Sequence, residues 1–165
     1  MTEAFYIAAL IALGATVMVI TRLNVVHALL YLVVSLLAVA VVFYTLGAAF
    51  AAALEVIVYA GAIMVLFVFV VMMLNMGPGH VNQERQWLSP AVWSGPMVLA
   101  AVLLGDMVYL LAGGNIHAER AVAAEGVGVA LYGPYLLAVE LASMLLLGAL
   151  VGAYHVGRDD GAGEE

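Results

Sequence analysis

The chain has 165 residues, 67% of them hydrophobic and 9% charged, with a mean hydropathy of +1.19. Soluble domains carry about a quarter charged residues, and no water-facing surface can be assembled from four Arg, no Lys and 11 acids. Cysteine is absent, which excludes disulfides, thiolate metal sites, iron–sulfur ligation and cysteine nucleophiles. The net charge of −7 owes much to Asp159, Asp160, Glu164 and Glu165, and without a basic patch no nucleic-acid partner is expected.

Uncharged runs at 23–54, 56–83, 86–105 and 141–157 each suit a hydrocarbon layer ~30 Å thick, which takes about 18 or more apolar residues to cross as helix. Backbone groups in lipid must be satisfied internally, so these runs are read as helices. The fold class is all-α: a polytopic integral membrane protein with five transmembrane helices in one membrane domain, 1–165, at about 3–21, 25–46, 51–75, 90–112 and 134–156. An acidic tail covers 158–165.

The first segment, MTEAFYIAALIALGATVMVITR, has no basic leader and carries Glu3. It reads as a permanent span rather than a cleaved signal. The second and third helices are joined only through LGAAFA, so they are antiparallel neighbours. Ser89-Pro90 has the form of an N-cap followed by proline at the first helical position. Pro96 lies within the fourth helix and marks either a kink or the true start. Gly113-Gly114 closes that helix, and Gly133-Pro134 opens the fifth. Residues 113–133 form a polar segment that fits a short surface helix or a hairpin. Arg22, Arg85 and Arg158 fall on one side of this topology and Arg120 on the other. The positive-inside rule then places the N-terminus outside and the C-terminus in the cytoplasm. Phe5, Tyr6, Phe43, Tyr44, Trp87, Trp93, Tyr135 and Tyr154 near helix ends fit interfacial belts.

Ionisable residues within spans are costly and are functional candidates by default. Glu55 opens the third helix, one turn before Tyr59 on the same α-helical face. It reads as the lining of a proton path or as an interfacial acid favoured by the helix dipole. Glu140 lies about 9 Å into the fifth helix by the ~1.5 Å rise per residue, with Ser143 one turn on. At that depth it should meet protein or trapped water. Asp106, late in the fourth helix beside Gly105 and near Tyr109, reads chiefly as an acid near the outer headgroups. Gly61 falls near mid-membrane, and spacing favours close helix packing there. A π-bulge, in which the hydrogen-bond ladder slips by one residue, is the other use of such a glycine.

His27, His80, His117 and His155 are scattered and do not make a metal site. Met72, Met73 and Met76 read as adaptable packing. No phosphate loop and no nucleophile–base pair is visible. The chain therefore lacks the parts of a self-contained enzyme, and no cofactor is expected to bind to it.

Three stretches carry a family likeness: NVVHALLYLVVSLLAVAVVFYTLGAAFAAALEVIVYAGAIMVLFVFVVMMLN (24–75), QERQWLSPAVWSGP (83–96) and VGVALYGPYLLAVELASMLLLGALVGAYHVGR (127–158). They resemble the subunit J, or mitochondrial chain six, family of proton-translocating NADH–quinone oxidoreductase, respiratory complex I. The third-helix run EVIVYAGAIMVLFVFVVMML is the most specific part, and GPYLLAVELASMLLL is a second match. The resemblance implies a membrane-arm subunit in the bacterial inner membrane, set between the quinone module and the antiporter-like pumping subunits. These membrane subunits and the lipid bilayer would be its partners.

The resemblance also implies a third helix that interconverts between α and π winding to open or close a water path. Carried onto this chain, that region is Tyr59-Ala60-Gly61-Ala62 through Val65. Glu55 opens the helix and Glu140 lies in the fifth-helix match. The role of Asp106 is not implied. Turning the C-terminal half would move Leu66, Phe67 and Phe69, the expected gate. FMN, iron–sulfur clusters and quinone would belong to other subunits. A stand-alone transporter or channel, and an inert assembly scaffold within the same complex, are the competing functions. A transporter would be expected to carry a repeat and convergent polar groups.

Overall fold

The computed structural model describes residues 2–22, 25–74, 90–113 and 121–158. Asn75, Met76, His80, Arg85, Trp87, Ser89, Gly114, His117, Arg120 and the acids of the tail lie outside the described residues. The described chain is helical apart from turns and short connections, with no strand among them. The elements are α1 (Thr2–Thr21), α2 (Val25–Thr45), α3 (Ala49–Leu54), a π-wound segment (Glu55–Ile63), α4 (Met64–Leu74), α5 (Pro90–Ala112), α6 (Ala124–Tyr132) and α7 (Leu136–Gly157). Five stretches are long and apolar enough to cross a membrane: Thr2–Thr21, Val25–Thr45, Ala49–Met73, Trp93–Ala112 and Leu136–Gly157.

The chain divides into two compact units, Met1–Val122 and Ala123–Glu165. In the first, α1 and α2 form the most extensive helix pair. On α1 the buried positions are Ala4, Ala8, Ile11 and Ala15, a single stripe at helical spacing. Small side chains let the backbones approach closely, which is how helices pack where lipid removes the hydrophobic driving force. Facing them are Tyr31, Val34, Ala38 and Val41 of α2. A polar clasp crosses this seam. The Thr16 hydroxyl donates to the Ala12 carbonyl at 2.8 Å, the Ser35 hydroxyl donates to the same carbonyl at 3.1 Å, and the two hydroxyls lie 2.8 Å apart. At one end the Arg22 guanidinium sits 5.7 Å from the centre of the Tyr31 ring, within cation–π range.

α2 stops where Gly47 takes φ = 84°. The Ala48 N–H donates to the Phe43 carbonyl and the Gly47 N–H to the Tyr44 carbonyl, both at 3.0 Å. This is a Schellman closure, which needs a left-handed residue after the helix. The Gly47 carbonyl in turn accepts the Val122 N–H at 3.0 Å.

α5 adds Leu103 and Leu110 to the same core. It begins at Pro90 and runs through Pro96 without interruption, so Pro96 lies inside the helix and does not start it. Near its beginning, Gly95 lies against the Tyr31 hydroxyl so closely that any Cβ would occupy the hydroxyl's place.

In the second unit the polar stretch before the last span resolves in favour of the short helix, α6. A turn at Gly133–Tyr135 joins it to α7, and the Tyr135 N–H donates to the Ala130 carbonyl at 3.1 Å. The last span therefore begins at Leu136, two residues beyond the expected Pro134. A Cβ on Gly133 would stand 2.7 Å from the Val129 carbonyl oxygen, so this turn admits only glycine without rearrangement.

Candidate functional site

The third span is a single rod with two windings. At Glu55 the N–H still reaches Ala51, four residues back, together with Ala52. At Met64 it reaches Tyr59, five residues back, together with Gly61. Between these points the ladder has slipped by one residue, which defines π winding. The slipped stretch covers nine residues, EVIVYAGAI, more than the single-turn bulge usually seen.

Gly61 lies within it. A Cβ there would stand 3.1 Å from the Val56 carbonyl oxygen, and no atom of another helix among the described residues lies within 4 Å. No helix among the described residues packs on Gly61. Among the described residues the close contact of Gly61 is therefore with the helix's own carbonyl five residues back, the register partner that π winding brings under it.

None of the expected third-span site residues lines the cavity beside that span. Glu55 is half-buried, and no hydrogen bond or ion pair joins it to Tyr59 among the described residues. Tyr59, Val65, Leu66, Phe67 and Phe69 are all at least half exposed. No residue of the π-wound segment is buried, whereas Met64, the first residue after it, is 2% exposed. Met64 therefore fixes the orientation of α4 in this state, and α4 packs on α2. Glu140 is exposed on α7, where the Ser143 hydroxyl donates to the Glu140 carbonyl at 2.8 Å.

Two features escaped the sequence reading. One is a cavity of about 440 Å³ among α2, α3, the start of the π-wound segment and α5. Its walls include Val41, Tyr44, Ala52, Val56, Leu103 and Met107. The other is Asp106, expected near the headgroups and found buried at 7% exposure. The signal for its burial was available: Leu103 and Leu110 flank it at helical spacing on the same face.

The family described as NADH-ubiquinone/plastoquinone oxidoreductase chain 6 matches residues 15–156. The chain belongs to that family. Among relatives, NADH-quinone oxidoreductase subunit J of Escherichia coli (strain K12) is 61% identical over 166 residues, covering 99% of this chain and 90% of that protein. Subunit J of Pseudomonas aeruginosa is 62% identical over 163 residues, covering 97% and 98%. Subunit J of Buchnera aphidicola subsp. Schizaphis graminum is 47% identical over 158 residues. The chain 6 match takes in the whole π-wound segment, Asp106 and Glu140.

Proposed function

We infer that the chain works as a multi-pass subunit of NADH-quinone oxidoreductase in a bacterial inner membrane, and we propose that winding at Glu55–Ile63 couples quinone reduction to proton translocation by gating a water path. The observation that carries this reading is the register slip between Glu55 and Met64. In this proposal the chain holds no catalytic centre. NADH oxidation, flavin, iron–sulfur clusters and quinone chemistry belong to other subunits, and the N-terminus lies outside with the C-terminus in the cytoplasm.

The physics of the switch is simple. Returning the slipped stretch to α winding changes the register by one residue. At 3.6 residues per turn, everything beyond it then turns by about 100°. Met64 leaves its buried place against the rest of the unit and an adjacent residue takes it. Leu66, Phe67 and Phe69 swing with it. These side chains are exposed on this chain, so the water path they close has its other wall on neighbouring subunits. Large apolar side chains interrupt a file of water, and turning them away reopens it. Glu55 and Tyr59 line the near end of that path, and Glu140 is a candidate relay on the last span.

The test is Gly61→Val in assembled complex. A branched side chain crowds the Val56 carbonyl and biases the rod toward α winding. Proton pumping should fall well below wild type while electron input at the flavin is retained. Wild-type rates for both would sink the proposal. An inert scaffold predicts that outcome wherever assembly survives.

A further inference from the structure

Asp106 is the one buried carboxylic acid among the described residues. It occupies the core-facing stripe of α5, after Leu99 and Leu103 and before Leu110, which all pack on the α1–α2 core. Its Oδ2 is buried and has no hydrogen-bond partner among the described residues. Buried polar atoms are almost always satisfied, and an exception calls for a specific reason. An unpaired carboxylate in such surroundings is strongly disfavoured.

No cation among the described residues offsets that charge. α5 packs on α1 and α2. Gly47, just beyond the end of α2, bonds to Val122, beyond the end of α5, so those two ends lie together with the start of α1. In these halves the ionisable groups are Glu3 and Tyr6 of α1, both exposed, Tyr44 of α2, part-buried, and Tyr109 of α5, exposed. Arg22 and His27 belong to the opposite ends of α1 and α2, and Glu55 lies on the π-wound segment, which packs on α2. The chain's own N-terminal ammonium acts on Asp106 through space as an attracting charge, and the group that removes the carboxylate charge outright is a proton.

We propose that Asp106 is an intramembrane proton-binding site, set in the packing of α1, α2 and α5 and separate from the π-wound segment. Binding a proton cancels the buried charge, and releasing it restores the charge; no other bond forms or breaks. The site lies six residues before Ala112, the last residue of α5, or about 9 Å from that end by the helical rise. Exchange with that face of the membrane is therefore short. The exposed Tyr109, three residues further along, offers a hydroxyl on the way.

The test uses the full chain in phosphatidylcholine vesicles with ¹³C-carboxyl aspartate. The sequence holds three Asp: Asp106, Asp159 and Asp160. Solid-state carbon spectra are followed across a pH series. One carboxyl resonance should depart from the pH course of the other two, and it should be missing in Asp106→Asn. If Asp106→Asn fails to enter the bilayer, the double variant Asp159→Asn/Asp160→Asn leaves Asp106 as the sole signal. A resonance for Asp106 that follows the same pH course as the tail pair overturns the proposal. The readout involves neither pumping nor helix register, so it stands or falls apart from the gating reading.

Discussion

The α1–α2 seam and the third span are both made of uncharged apolar residues, yet they are built in opposite ways. The seam buries a stripe of alanines, seats Tyr31 between Arg22 and Gly95, and ties Thr16 to Ser35 across the interface. The third span is wound irregularly over nine residues and buries none of them. Close packing leaves an element one arrangement, because interiors transmit strain and do not deform continuously. A rod held at few points is free to occupy two registers. The contrast shows how one small unit serves as both frame and moving part: the frame is specified inside the chain, and the moving part awaits contacts from its neighbours.

The largest expected effect lies in the frame. Gly95→Ala places a methyl group where the Tyr31 hydroxyl stands. Tyr31 is buried at 5% and its ring lies under Arg22, so it has little freedom to withdraw. Overpacking of this kind costs about 1–3 kcal/mol. Thermal unfolding of the full chain in bilayers should show a clear loss, and assembled complex should be scarce. If Gly95→Ala is as stable as wild type, the frame is looser than the contrast requires.

Much of the frame was legible in the sequence. Uncharged runs long enough to span gave the helices, and Gly47 with its short connection gave the antiparallel turn. The third span was legible as a span from its residues, but its π winding only through the family resemblance, which put it at Tyr59 through Val65 where the structure has Glu55–Ile63. Periodicity reports which residues alternate between faces, and a one-residue slip inside an all-apolar rod leaves no mark on a pattern that is apolar all round. Gly61 was visible, but a glycine in a membrane helix serves close packing as readily as a slipped ladder, so spacing favoured packing. The burial of Asp106 went unread because depth along the helix was weighed and the Leu103–Leu110 face was not. The Thr16–Ser35 clasp needed the relative rotation of two helices, which no single-segment pattern contains.

A middling effect is expected at that clasp. Ser35→Ala removes one hydroxyl and leaves Thr16 its own bond to the Ala12 carbonyl. Hydrogen bonds between membrane helices are worth about 0.6 kcal/mol on average, because the separated helices also find partners. Unfolding of the full chain should show a small destabilisation of that order. A loss as large as that of Gly95→Ala would move the weight of the seam from small-residue packing to polar ties.

The smallest effect on stability, and the sharpest on the contrast, is expected at Leu66→Ala. Leucine truncations in packed cores cost about 2–5 kcal/mol, because a cavity remains. Leu66 is 61% exposed, so within this chain there is no surrounding wall to leave empty. Substitutions at such positions usually stay within about 0.5 kcal/mol, and the unfolding of the full chain should hardly change. In the assembled complex the same truncation shortens a side chain proposed to close a water path, so proton leak across vesicles should rise while electron input is unaffected. A large loss of stability in the isolated chain would mean that Leu66 is held by its own unit. The third span would then belong to the frame, and the distinction between fixed and moving halves would fail.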